Sequence, residues 1–175
     1  MTTDTGLVRF DAAKRALAEA RSIDEVKDVR DKAEAIRLYM RQAGESLQMQ
    51  NDAAEIKLRA ERRGGELLRE MERSKGGRPA ENSSQPVTRF QDAVEDAGLD
   101  RMTAHRWQII AEMQAETFEQ HIAQTKARNA ELTTAGTLRL ARELARDKTR
   151  QDMIERARDV PAEGPNYRLI CGDMA

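Results

Sequence analysis

Apolar residues recur at steps of three and four through most of the chain, and that spacing predicts an all-α fold. Asp11 reads as the N-cap of a short helix to about Ala20, with Ala12, Ala16 and Leu17 on one side. Ser22-Ile23-Asp24-Glu25 has the form of a capping box, in which the serine hydroxyl and the glutamate each satisfy a free backbone N–H. Val26, Val29, Ala33, Ile36 and Met40 continue as a narrow apolar stripe, and Gly44 breaks it. A second helix is predicted from about Glu45 to Ser74, striped by Ala53, Ile56, Ala60, Leu67 and Met71. Two striped helices joined by a short glycine-containing link predict a long, coiled-coil-like antiparallel hairpin over 8–74. Alanine fills much of both stripes, so a lone hairpin buries them poorly, and either self-association into a homo-oligomer through 22–74 or packing on a partner is expected. Gly64-Gly65 inside the second helix predicts a kink or a close helix crossing, at about 1 kcal/mol per glycine relative to alanine.

Residues 75–88 are rich in Gly, Pro and Ser and form the predicted boundary between the hairpin and the C-terminal half of the chain. Within this stretch Gly77-Arg78-Pro79 has the core of a minor-groove hook, although a tripeptide of this kind fits a plain linker better. Residues 89–158 then read as a small helix-turn-helix-type domain. Phe90 to Ala97 can form one helix, Gly98-Leu99-Asp100 a turn, and Arg101 to Met113 the next helix. Val94, Ala97, Ala104, Trp107 and Ile110 supply the inner face of this unit. Arg101, Thr103, His105, Arg106 and Gln108 supply the other face, with donors and acceptors suited to phosphates and base edges. The same pattern also fits an ordinary helical hairpin with its polar side chains in water. Glu116 to about Arg128 predicts a further helix with Phe118 and Ile122 inward. Thr133-Thr134 caps another, with Ala135, Leu138, Ala141 and Leu144 as its apolar face and Arg139, Arg142, Arg146, Lys148 and Arg150 near the other side. Helix is expected to about Arg158, ended by the Pro- and Gly-containing run 159–165. Tyr167 to Cys171 then reads as a short strand with no partner strand expected.

Composition adds limits. Charged residues make up 35% of the 175 residues and aromatics 3%, a bias toward solvated helices rather than one large core. Formal net charge is −1, so bulk charge predicts no polyanion partner. The cations are uneven, however, with Arg59, Arg62, Arg63, Arg69, Arg73, Lys75 and Arg78 crowded at the end of the second hairpin helix. Glu61, Glu66, Glu70 and Glu72 offset part of that charge, as on a solvated face with i,i+4 pairs. A single cysteine fits a reducing cytoplasm, and neither a secretion signal nor a membrane-spanning apolar run is present in the sequence. His105 and His121 stand apart from any cluster with ligand spacing, so no metal site is assigned.

Several blocks resemble a family of phage and prophage proteins. They are Asp24-Glu25-Val26-Lys27-Asp28-Val29-Arg30-Asp31-Lys32-Ala33-Glu34-Ala35; Ala54 to Arg63 with Gly65-Glu66-Leu67-Leu68; Lys75-Gly76-Gly77-Arg78-Pro79; Arg106-Trp107-Gln108; and Leu132-Thr133-Thr134-Ala135-Gly136. In that family the helical region stands alone or precedes a site-specific DNA methyltransferase domain of the N4-cytosine/N6-adenine class. A looser likeness is to the helix-turn-helix parts of ParB-type partition proteins. The tail Tyr167-Arg168-Leu169-Ile170-Cys171-Gly172-Asp173 resembles the strand and turn that open such a methyltransferase domain. The resemblance implies duplex DNA as the partner, contacted through the Arg106-Trp107 helix; the polar face of that helix adds Arg101, Thr103, His105 and Gln108 as contact candidates, and the linker adds Lys75 and Arg78. It implies a DNA-positioning region with no catalytic residue of its own. The chain is then expected to stop at the start of a missing catalytic domain (159–175), for which S-adenosylmethionine is the expected cofactor. The rival expectation is a stand-alone helical protein-interaction scaffold, or a ParB-like DNA-binding regulator.

Overall fold

A computed structural model describes residues 12–13, 15–72 and 94–158, together with the paired residues 163–164 and 167–168. The fold is all-α, as the periodicity predicts. Helix α1 spans Ile23–Gln42 and α2 spans Leu47–Glu72. After them come α3, Arg101–Ala111, α4, Ala115–Ala127, and α5, Thr134–Arg158. Residues 15–19 and 94–96 are also helical. The chain divides into one compact unit through Ala141 and a second from Arg142 onward.

Local chemistry sets the starts of these helices. Ser22 accepts from the Glu25 amide at 3.3 Å while Glu25 Oε2 accepts from the Ser22 amide at 3.4 Å, so the capping box forms. Asp100 caps α3, accepting from the Thr103 amide at 3.2 Å, and Thr133 Oγ1 accepts from the Gly136 amide at 3.1 Å at the start of α5.

One device stops three of the helices. At Gly44, Gly98 and Asn129 the backbone turns left-handed, with φ of 71°, 55° and 50°. At each, the residue itself and the one after it donate back to two carbonyls of the last helical turn: Gly44 to Arg41 and Glu45 to Met40, Gly98 to Glu95 and Leu99 to Val94, Asn129 to Lys126 and Ala130 to Thr125. This is the Schellman arrangement, which satisfies carbonyls that the helix leaves free.

Helix α2 is the spine of the first unit. One core, built on Val26, Ala60, Leu68, Val94, Ala104 and Trp107, lies against its C-terminal half. A second core, built on Leu58, Ile110, Phe118, Ile122, Leu132 and Leu138, lies against its N-terminal half. Helix α2 is therefore covered on more than one face. That explains buried residues outside the predicted stripe: Ala54, Leu58 and Leu68, and the polar Asn51, Glu55 and Glu61. The Asn51 side chain is satisfied at both ends, donating to the Ala130 carbonyl at 2.9 Å and accepting from the Leu132 amide at 2.8 Å.

The expectation that the hairpin needs a second chain to bury its stripes loses its motive, because α3 and α4 of the same chain pack on α2. The region after the predicted linker shares both cores with the hairpin, within the unit that ends at Ala141. The linker 75–88 itself lies outside the described residues. Some stripe positions face water instead: Ile36, Ala135 and Leu144 are exposed. Gly64-Gly65 is a close helix crossing. A Cβ at Gly64 would stand 2.5 Å from the Trp107 ring, and one at Gly65 would overlap the Trp107 carbonyl.

In the second unit, α5 runs on to Arg158. Tyr167–Arg168 does have a partner, contrary to expectation. It pairs antiparallel with Glu163–Gly164 in a two-residue ladder, Glu163 opposite Arg168 and Gly164 opposite Tyr167. Residues 169–175 lie outside the described residues.

Candidate nucleic-acid interface

The segment 94–111 has the order helix, four-residue turn, helix. Val94 and Leu99, the two ends of the Schellman stop, both belong to the first core, which anchors the turn from below. From above, Lys27 on α1 donates to the Ala97 carbonyl at 2.7 Å and to the Gly98 carbonyl at 3.4 Å. A cation at the C-terminal end of a helical turn meets the negative pole of its dipole. Helix α3 is held against α2 by Trp107, which is 1% exposed over the two glycines. Arg69 donates to the Ala111 carbonyl at 3.3 Å and Arg62 to the Met113 carbonyl at 2.9 Å, closing the far end of α3.

With that face fixed, the opposite edge of α3 presents Arg101, Met102, His105 and Arg106 to solvent. These are the first, second, fifth and sixth residues of the helix, one face of its first two turns. A helix after such a turn contacts base edges through its N-terminal residues when it lies in the major groove. Neither Arg101 nor Arg106 is engaged by an ion pair among the described residues. Glu95, Asp96 and Glu112 are exposed nearby, so the edge is mixed in charge rather than uniformly basic. Asp100 is occupied as the N-cap.

Two of the predicted contact residues are placed elsewhere. Gln108 is 9% exposed and its Nε2 meets no acceptor, since it sits one position past Trp107 on the buried side of α3. Thr103 is half-buried, its amide and hydroxyl both directed to Asp100. Lys75 and Arg78 lie outside the described residues. The structure thus brings Arg101, His105 and Arg106 together and leaves Gln108 out.

The basic stretch on α2 is consumed internally. Arg59 forms a two-pronged ion pair with Glu119 at 2.6 and 2.7 Å and also meets Glu55. Arg62 pairs with Glu66 and lies 4.8 Å from the Phe118 ring centroid. Arg63 donates to the Ala20 carbonyl at 3.2 Å, closing the end of the helix over 15–19. No sequence signal marks Lys27, Arg62, Arg63 or Arg69 as carbonyl donors, because their acceptors lie 43 to 70 residues away or, for Arg69 and Ala111, 42. The glycine pair is the one legible trace of this junction.

A polar cavity of about 140 Å³ opens among Arg37, Arg41, Lys57, Glu131, Thr133 and Thr134. Its cations are balanced: Arg37 meets Glu34 and Glu131, and Lys57 meets Glu34 at 3.1 Å. The hydrogen bonds from Arg37 lead the forces that hold the Glu34 carboxyl down at about 2. Beside it, Glu61 is 1% exposed, and burial pushes its carboxyl above the ordinary range against the opposing pull of Lys57, Thr134 and Arg30. Among the described residues no cluster of His, Cys, Asp or Glu has the arrangement of a metal site. No described helix is long and apolar enough to cross a membrane.

In comparisons with known proteins, no family model, no curated protein and no solved structure matches this chain.

Proposed function

We propose that this chain is a duplex-DNA-binding module that reads DNA with the exposed edge of α3. The observation that carries the reading is the edge itself. Arg101, His105 and Arg106 stand together on the solvent side of a helix whose opposite side is locked by Trp107, behind a turn clamped by Lys27. Arginine is the side chain best matched to guanine O6 and N7, and a rigid helix is what positions such a contact. Glu95 and Asp96 repel phosphate at the turn and set a ceiling on the affinity. Within this reading, the resemblance to methyltransferase-associated phage proteins supplies a task. The module would position a catalytic domain, with S-adenosylmethionine bound by that domain. Reading the coding frame past the Ala175 codon tests that part separately.

Fluorescence anisotropy of the full chain against a library of labelled duplexes tests the binding. Arg101→Ala with Arg106→Ala should flatten the preference among sequences and lower affinity for the best duplex by about 1–3 kcal/mol for each arginine that reaches a base. Equal binding of wild type and double variant to every duplex would sink the proposal.

A second reading draws on the exposed apolar residues at the hairpin tip, Ile36, Leu38, Met49 and Tyr39, the last 71% exposed. They favour a protein-interaction scaffold, homo-oligomeric or with another chain. Sedimentation of wild type beside Tyr39→Glu decides it: an assembly that the substitution dissolves supports the scaffold, and a monomer in both removes the homo-oligomeric form.

A further inference from the structure

Helix α5 carries a row of cations that no described ion pair engages. We infer that Arg142, Arg146 and Arg150 form a rail for the phosphate backbone of duplex DNA, a contact surface separate from the edge of α3. The inference rests on the DNA-binding reading for the identity of its polyanion.

The three arginines succeed one another at four-residue spacing. They therefore share one helix face, drifting about 40° and rising about 6 Å per step. All three are exposed. Glu143 and Asp147 stand three residues before Arg146 and Arg150, yet among the described residues no ion pair joins them. Between 142 and 150 the cations Arg142, Arg146, Lys148 and Arg150 outnumber the two acids, in a chain of net charge −1.

Within 142–150 the spacing of charge is not the one that stabilises a solvated helix. In the hairpin four i,i+4 pairs of opposite sign close as ion pairs: Asp28 with Lys32, Glu55 with Arg59, Lys57 with Glu61, Arg62 with Glu66. Within 142–150 on α5 the charged i,i+4 partners are Arg with Arg, and Glu143 with Asp147, whereas outside that stretch Arg139 with Glu143, Lys148 with Asp152 and Asp152 with Arg156 have opposite sign. Like charges at that spacing cost a helix what opposite charges contribute. A phosphate strand relieves the repulsion by placing negative charge along the row. Arginine suits it, offering paired donors to each phosphate. An anionic membrane is the poorer fit, since a helix that lies on lipid sets a continuous apolar strip opposite its cations. The row opposite this one is Leu144, Lys148, Asp152 and Glu155.

The test is a salt titration of duplex binding by the full chain, extended by anisotropy with several unrelated duplexes. Arg142→Gln/Arg146→Gln/Arg150→Gln should weaken all duplexes by a similar factor and reduce the slope of log K against log salt by about 2.7, near 0.9 for each phosphate no longer neutralised. The triple lysine variant should keep the slope, because the effect depends on charge. Helicity by circular dichroism must match wild type. If the triple glutamine variant loses helix, Arg146→Gln alone should still reduce the slope by about 0.9. An unchanged slope in a folded variant overturns the rail while leaving the α3 reading intact, and so does loss confined to binding of phosphatidylserine vesicles. Failure of wild type to bind any duplex at low salt overturns both.

Discussion

Arg62, Arg63 and Arg69 on α2 and Arg142, Arg146 and Arg150 on α5 come from stretches of similar composition, and the fold uses them in opposite ways. The first three turn inward. They donate to the carbonyls of Met113, Ala20 and Ala111, each near the end of a helix packed on the spine. The other three face water without an acid partner among the described residues. Charge density along the sequence is therefore a poor guide to a polyanion surface. A cation that caps a helix end contributes to stability and is not free to meet phosphate, whereas an unpaired, exposed row costs a little stability and is free to do so.

The comparison is sharpened by substitutions on the inward side. Gly65→Ala should have the largest effect, because the new methyl meets backbone rather than a flexible side-chain tip. A drop of about 3 kcal/mol is expected in urea denaturation, with DNA binding falling only as far as the folded fraction falls. A Gly65→Ala protein of wild-type stability would mean that α3 does not seat on α2 as described.

Lys27→Met should come next, at about 1.5 kcal/mol, by removing a charged donor from the Ala97 carbonyl. It should also loosen the turn, so hydrogen exchange at the Leu99 amide should quicken while the amides of α4 keep their protection. Uniform quickening would mean that Lys27 stabilises the whole unit and does not clamp the turn in particular.

Two glutamates make stability depend on pH, with opposite signs. Glu34 has its carboxyl at about 2 in the fold against an ordinary 4.5. Its contribution is present above about pH 4.5 and is lost as pH falls toward 2. Glu61 is raised, so its charged form is disfavoured by folding; stability is full below 4.5 and declines as pH rises through the raised value. Glu34→Gln should therefore flatten the acid side of the stability profile. Glu61→Gln should raise the melting temperature at pH 7 and leave it unchanged at pH 4. A melting temperature lowered at pH 7 by Glu61→Gln would show that its carboxylate is a net stabilising partner of Arg30 and Lys57.

The helices themselves are legible because their signals are local. Ser22 with Glu25, Gly44 and Gly98 act within a few residues of where they stand, and periodicity exposes Trp107, Phe118 and Ile122 as inward positions. The stop at Asn129 uses the same geometry, but an asparagine marks such a turn less plainly than a glycine does. The candidate edge is half legible. Arg101, His105 and Arg106 can be placed from the position of Trp107, while Gln108, the next residue after it, is buried in the fold.

By itself, then, the sequence determined that the chain is helical, where most helices start and stop, and that Gly64-Gly65 marks either a kink or a close crossing, a choice the packing of Trp107 settles. Only the tertiary structure decided which polar groups are buried, as with Asn51, Glu61 and Gln108, and which cations are spent on carbonyls. The reason is reach. A cap or a stripe is settled within one or two turns of backbone. The acceptor of Lys27 or the cover over Glu61 is supplied by an element tens of residues away, and a pattern with a period of 3.6 residues carries no record of it.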